Sequence, residues 1–334
     1  KTLLVTGAGG SIGSELCRQI AQHKPKALIL FERYENTLHS LLLELHAAFP
    51  TVKILPIIGD VTVPDRVAEV FRQTCPDIVF HAAAHKHVPL MELNPKEAIR
   101  NNILGTRIVA EAAVKAGVGR FVLISTDKAV NPSSVMGVTK RIAEHMMQEF
   151  NSPGLTKFTV VRFGNVLGSN GSVVPLFTEQ IRKGGPVTVT HPEIKRFFMT
   201  IPEAVQLVLQ ASAMGRGGEV FVLDMGEQIK VADLARNMIV LAGLVPGKDI
   251  DIVYTGLRPG EKMYEELFEE QEQAERTVHA KINRASGAPV SVGELDQWLE
   301  MLQTNLPRCD EDELLQDLKR LVPSFQPAIP QRVS

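Results

Sequence analysis

An apolar strand predicted over 2–5 runs without a break into Thr6-Gly7-Ala8-Gly9-Gly10-Ser11-Ile12-Gly13, and from there into a helix predicted over 11–23. This junction constrains the fold more than any other stretch of the chain. Gly7, Gly10 and Gly13 recur at every third position. Glycine there lets the backbone turn tightly and approach a pyrophosphate, and the helix amino end offers that anion free N–H groups and a positive dipole. The arrangement predicts a dinucleotide cradle made by Gly7, Gly10, Ser11, Ile12 and Gly13.

Further strands are predicted at 27–31, 53–58, 78–81, 121–125 and 158–163, and helices at 37–49, 64–74, 94–116 and 135–150. Strands that alternate with helices make βαβ units and a parallel sheet. Right-handed crossovers then give a doubly wound sheet with its ligand crevice at the carboxyl ends of the strands. The expected fold class is therefore α/β, a Rossmann-type doubly wound parallel sheet. Beyond residue 165 glycine and proline become frequent and the elements shorten. This predicts a smaller substrate-binding lobe over 166–285, some of whose segments return to the sheet, and polar helices with a tail over 286–334. Residues 1–165 form the expected cofactor domain.

Strand ends supply further cofactor contacts. Glu32 stands 19 positions after Gly13, where a carboxylate accepts hydrogen bonds from the adenosine ribose. A ribose phosphate would meet like charge there, which favours NAD over NADP. Arg33 and Arg18 argue the other way, since either can receive a phosphate. Asp60 and Val61 close the third strand, where an acid can bond the adenine amino group. Ala82, Ala83 and Ala84 end the fourth and let a cofactor pass closely. Lys86, just beyond, is a candidate substrate contact.

The bulk numbers exclude several classes. A net charge of -2 over 334 residues gives no basic surplus for nucleic acid or for an anionic membrane face. Cys17, Cys75 and Cys309 are far apart and form no CxxC or Cys/His cluster. His81, His85 and His87 alternate without a carboxylate companion, so no metal is expected. No apolar run approaches the ~18 residues of a membrane span.

The glycine turn, Asn102-Ile103-Leu104-Gly105-Thr106 and Ser125-Thr126-Asp127-Lys128 resemble the extended short-chain dehydrogenase/reductase family. Arg162-Phe163-Gly164-Asn165-Val166-Leu167-Gly168-Ser169 and Leu257-Arg258-Pro259-Gly260-Glu261-Lys262 look like its nucleotide-sugar branch. More narrowly, the run from Ser125 to Pro132 is similar to the UDP-N-acetylglucosamine 4,6-dehydratases of bacterial polysaccharide and glycan synthesis. The resemblance implies a hydro-lyase that uses NAD and acts on UDP-N-acetylglucosamine. It also implies a homo-oligomer, paired through the helices near 94–116 and 135–150. The chain begins at Lys1 and enters a strand at once. By the same resemblance it is expected to be the soluble part of a bacterial inner-membrane protein. It would lie on the cytoplasmic side, tied to the membrane only through a region outside this chain.

One position departs from the wider family. The expected Tyr-x-x-x-Lys reads Met136-Gly137-Val138-Thr139-Lys140, and a thioether exchanges no proton. The long dehydratases are similar in carrying Met here and retain the C5 configuration. Oxidation at C4, loss of the C5 proton with the C6 hydroxyl, and hydride return to C6 then fall to other groups. Asp127 is the candidate acid at C6. Lys128 is the candidate base at C5 and a possible acceptor of the C4 proton. Thr126 would bond the C4 oxygen, and Lys140 the nicotinamide ribose. Asn102 is assigned to the cofactor. Asn165, Arg196, Arg258 and Glu261 are assigned to the nucleotide sugar. Adjacent Asp and Lys favour their charged forms, opposite to what an acid and a base need. Successive strand residues also face opposite ways, so the backbone must turn after Thr126. Two rival readings stand: a UDP-sugar 4-epimerase, and a non-catalytic module that binds NAD and UDP-sugar.

Overall fold

The computed structural model describes residues 1–151, 156–286 and 293–327. Residues 287–292 and 328–334 of the expected C-terminal part lie outside them. Six parallel strands form the heart of the molecule: β1 Thr2–Thr6, β2 Ala27–Glu32, β3 Ile54–Ile58, β4 Ile78–His81, β5 Arg120–Ile124 and β6 Lys157–Arg162. Their order is β3-β2-β1-β4-β5-β6. The chain thus winds outward one way from β1 and then the other way from β4, which puts the switch point between β1 and β4. Strand Val220–Leu223 extends the sheet in parallel, and Ile282–Ser286 and Gln273–Arg276 close it antiparallel, making nine strands.

Side chains such as Leu28, Ile29, Leu30, Val122 and Leu123 are buried because helices cover both faces. One face packs on α1 (Ser11–Gln22), α2 (Glu35–Ala48) and helix Ile201–Met214. The other packs on helices Gly105–Lys115 and Val135–Phe150. A small separate core of Phe177, Val187, Val189, Ile194, Val231, Ala235, Ile239 and Ile250 builds the lobe beside the crevice.

Two expectations are corrected. The helix predicted over 94–116 is broken into Pro95–Ala98, a π-helical stretch Ile99–Leu104, and Gly105–Lys115. The wider turn lets Asn101 and Asn102 point inward, and such bulges gather at functional sites. The C-terminal helices Gly293–Asn305 and Glu311–Leu321 are not merely polar. Leu295, Trp298, Leu299, Leu302, Leu314 and Leu318 enter the same core as Val138, Ile142 and Met146. Every residue from Val135 to Met147 is buried. The face expected to pair with a second subunit through this helix is therefore already covered by the chain itself. Among the described residues no helix is long and apolar enough to cross a membrane.

Candidate functional site

A cavity of about 570 Å³ opens along the carboxyl ends of β1, β4, β5 and β6. Gly10, Ser11, Ile12 and Gly13 line its floor, and Ala82 and Ala84 its flank. Gly7 has φ +64°, and a Cβ on it would lie 2.7 Å from the Ala83 nitrogen. A Cβ on Gly13 would lie 2.0 Å from the Gly7 carbonyl oxygen. A side chain at either position would push the turn apart from its own backbone or from the end of β4, so the glycines keep the tight turn and free helix amino end that fit a dinucleotide pyrophosphate. Ala83 is spent on that close packing and does not line the cavity.

Glu32 fastens the turn. Its Oε2 accepts from Gly9 N at 2.9 Å, and its Oε1 from Arg33 N and Tyr34 N, both at 2.9 Å. Arg33 stands 3.6 Å from the Asp60 carboxylate. Burial pushes the Asp60 carboxyl up, but Thr62 and Arg33 outweigh it and hold it below the usual range. Val61 is buried beneath Gly105 and is a core residue rather than a wall of the cavity. Arg18 is committed to Glu44 at 2.6 Å and to Glu15 at 3.2 Å. Asn102 does not line the cavity either. Its amide donates to the His85 carbonyl at 3.0 Å and to Thr139 Oγ1 at 3.1 Å, and accepts from His85 N at 2.8 Å. It grips the loop after β4 instead of facing the crevice.

The backbone leaves β5 at Ile124 and turns after Thr126. Thr126 caps a single 3-10 turn, Asp127–Ala129, and its hydroxyl accepts from Lys128 N. The turn brings Asp127 and Lys128 to one side. Lys128 Nζ donates to Asp127 Oδ1 and to Asn165 Oδ1, both at 3.0 Å. The Thr126 hydroxyl donates to the same Asp127 oxygen at 2.9 Å. Lys128 and Thr126 line the cavity, whereas Asp127 is 0% exposed behind them. Burial pushes the Asp127 carboxyl up, and the nearby Glu265 charge adds to it. Burial pulls the Lys128 ammonium down, but the Asp127 and Glu265 carboxylates outweigh that and hold it above the usual lysine range. Lys128 therefore rests as an ammonium and must be discharged before it can act as a base.

Met136 and Lys140 lie one turn apart on helix Val135–Phe150 and both line the cavity. Lys140 Nζ donates to the Ile124 carbonyl at 2.6 Å, and burial lowers it to about 8. Lys86 lines the main cavity and a smaller one of about 240 Å³. Desolvation and the Lys128 charge push its ammonium down. Arg196 lies 3.3 Å from Glu261 and 3.5 Å from Glu265. Glu261 accepts from Arg258 N, and the Arg258 guanidinium, which lines the cavity, forms no ion pair with a carboxylate among the described residues.

His81 is fixed between Thr6 Oγ1 at 2.8 Å and Thr106 Oγ1 at 3.0 Å, and burial lowers it to about 3. It is a neutral core histidine. Among the described residues no group of three or more His, Cys, Asp or Glu could hold a metal. Sequence reasoning missed Glu265, which is buried against Lys128. Spacing does not distinguish it from its neighbour Glu266, whose side chain is 48% exposed.

The family described as "Polysaccharide biosynthesis protein" matches residues 3–287. The chain is 55% identical over 310 residues to the capsular polysaccharide biosynthesis protein CapD of Staphylococcus aureus, covering 92% of this chain and 52% of that protein. It is likewise 55% identical over 311 residues to the probable polysaccharide biosynthesis protein EpsC of Bacillus subtilis, with the same 92% and 52% coverage. The chain thus spans about half the length of these two relatives. A UDP-glucose 4-epimerase of Rickettsia massiliae is 36% identical over 281 residues, covering 82% and 79%. Among solved structures, Pen of Bacillus thuringiensis matches with a TM-score of 0.78 at 36% identity, covering 90% and 98%. The Thermus thermophilus UDP-glucose 4-epimerase in complex with NAD matches with a TM-score of 0.68 at 21% identity, covering 80% and 90%, a likeness of fold.

Proposed function

Because the chain belongs to the polysaccharide biosynthesis protein family, we propose that it is a hydro-lyase that dehydrates UDP-N-acetylglucosamine across C5 and C6. The product is the UDP-4-keto-6-deoxy sugar with its C5 configuration kept. The cofactor is NAD, which when bound takes hydride from C4 and returns it to C6. One observation carries the reading: Thr126, Asp127 and Lys128 stand together on one turn beside the cavity, next to a methionine where the wider family has its phenol.

The chain's own groups have separable tasks. Gly7, Gly10 and Gly13 admit the pyrophosphate, and the amino end of α1 offsets its charge. The fastened Glu32 disfavours a ribose phosphate, and Arg18 is occupied by Glu44. Arg258, unpaired and planar, is suited to the substrate's diphosphate or uracil. Thr126 bonds the C4 oxygen. The neutral acid form of Asp127, favoured by its burial, protonates the departing C6 hydroxyl. Lys128 takes the C5 proton. Lys140 bonds the nicotinamide ribose from the Ile124 carbonyl.

Mass spectrometry after incubation of the protein with NAD and UDP-N-acetylglucosamine tests this. Loss of one water is expected. The 36% identity to a protein named UDP-glucose 4-epimerase favours the rival, which a new epimer of unchanged mass would establish.

A further inference from the structure

Dehydration moves two protons off the sugar, from the C4 hydroxyl and from C5. It returns two, one to the leaving C6 oxygen and one to C5 as C6 receives its hydride. At the moment of elimination Asp127 must hold a proton and Lys128 must hold none spare. The C4 proton arrives one step earlier. Because Lys128 rests as an ammonium between Asp127 and Glu265, the C4 proton would fill Asp127 while Lys128 still held its own, and these two groups alone would leave no base for C5.

A third group is present. Glu265 is 4% exposed, and its Oε1 lies 3.5 Å from Lys128 Nζ, which also touches Asp127 Oδ1 at 3.0 Å. Its backbone is held on both sides by Gln228, whose Nε2 donates to the Glu265 carbonyl at 2.8 Å and whose Oε1 accepts from Glu265 N at 3.4 Å. The same Glu265 Oε1 lies 3.5 Å from Arg196 Nε. It lines the smaller cavity with Lys86, Lys128 and Asn165. Each carboxylate flanking the ammonium keeps one buried oxygen with no hydrogen-bond partner, Asp127 Oδ2 and Glu265 Oε2. Such oxygens are uncommon in folded proteins and ask for an explanation.

We propose that Glu265 is the third proton carrier of this site, taking the Lys128 ammonium proton while the C4 hydroxyl proton passes through Thr126 onto Asp127. This rests on the dehydration reading. The circuit closes without an outside proton. At rest one proton sits on Lys128, between two carboxylates. After C4 oxidation Asp127 and Glu265 each hold one, and Lys128 is a free amine. Lys128 then takes the C5 proton as Asp127 protonates the C6 oxygen, which leaves as water. Hydride return to C6 is matched by proton return from Lys128 to C5, and the proton on Glu265 goes back to Lys128. Thr126 is placed for the first transfer, since its hydroxyl already donates to Asp127 Oδ1.

E265Q keeps the shape of the side chain and removes its capacity to hold the proton. Three quantities are measured with NAD and UDP-N-acetylglucosamine: KM and kcat, reduced nicotinamide in the first turnover, and deuterium uptake at C5 from heavy water. The expected result is a KM within about threefold and a kcat lower by about 100-fold, the size of one general acid–base contribution. Nicotinamide reduction should persist while C5 exchange and water loss both slow. E265D, which retains an acid, should recover part of the rate and covers the case in which E265Q folds poorly. A kcat within threefold of wild type overturns the proposal. So does an equal loss of nicotinamide reduction and C5 exchange, or an E265D no faster than E265Q. A wild type that reduces nicotinamide yet releases no water sinks the dehydration reading instead.

Discussion

Glu144→Gln should remove a large share of the protein's stability, although the residue lies outside the cavity. Glu144 is fully buried and faces Arg162, itself 0% exposed, through Oε2–Nη2 at 2.7 Å and Oε1–Nε at 3.2 Å. Ser125 donates to Oε1 at 2.5 Å, and Arg141 to Oε2 at 3.1 Å. Burial alone would push this carboxyl up. The Arg162 and Arg141 guanidiniums and the Ser125 hydroxyl outweigh it and bring it from the ordinary 4.5 to about 2. That displacement corresponds to about 3 kcal/mol of linkage. Removing one partner of a buried pair independently costs about 3–5 kcal/mol, because it strands the other charge. The two routes agree, against totals of about 5–15 kcal/mol for folded domains. The folded value is depressed, so this stability is present above pH 4.5 and is lost as pH falls toward 2. Urea unfolding of wild type and E144Q at pH 7 should therefore differ by about 3 kcal/mol or more, and the gap should narrow at acid pH. A difference below about 1 kcal/mol at pH 7, or one independent of pH, would refute the account of this network.

Asp127→Asn removes the acceptor of the C4 proton as well as the acid at C6, so nicotinamide reduction and water loss should both fall, by about 10²–10⁴-fold; stopped-flow absorbance with product analysis checks it, and full nicotinamide reduction in the variant would refute the C4 role. Lys140 is charged below about 8, so activity that depends on its charge should decline through that pH, and K140M should lack the alkaline limb in a kcat profile. Leu302→Ala should cost about 2–5 kcal/mol in denaturant unfolding, because Leu302 is fully buried against the main core; a loss under 1 kcal/mol would mean the C-terminal helices are not part of it.

The first half of the sheet was legible because strand and helix periods alternate cleanly up to β6, and because Gly7, Gly10 and Gly13 leave few alternatives. Elements read less well where tertiary contacts override local pattern. Asn101 and Asn102 sit in what reads as one long helix, and only their inward partners explain the π-helical widening. The C-terminal helices carry a narrow apolar stripe in polar sequence, so their burial could not be read from composition. At the candidate site, the run from Thr126 to Lys128 stands out in the sequence by its residue types. Its turn was a condition the sequence imposed and the backbone meets. Glu265 had no such signal, because what places it at the candidate site is a partner 137 positions away that only folding brings near.

The grip of Asn102 on the loop after β4 has a wider consequence. The amide takes hold of the main chain at His85 through both its N–H and its carbonyl, and ties it to Thr139 beside Lys140. An anchor of that kind is blind to what the loop displays. The path that carries Lys86 and His87 to the cavity is thus held through main-chain atoms at His85 and not through its imidazole.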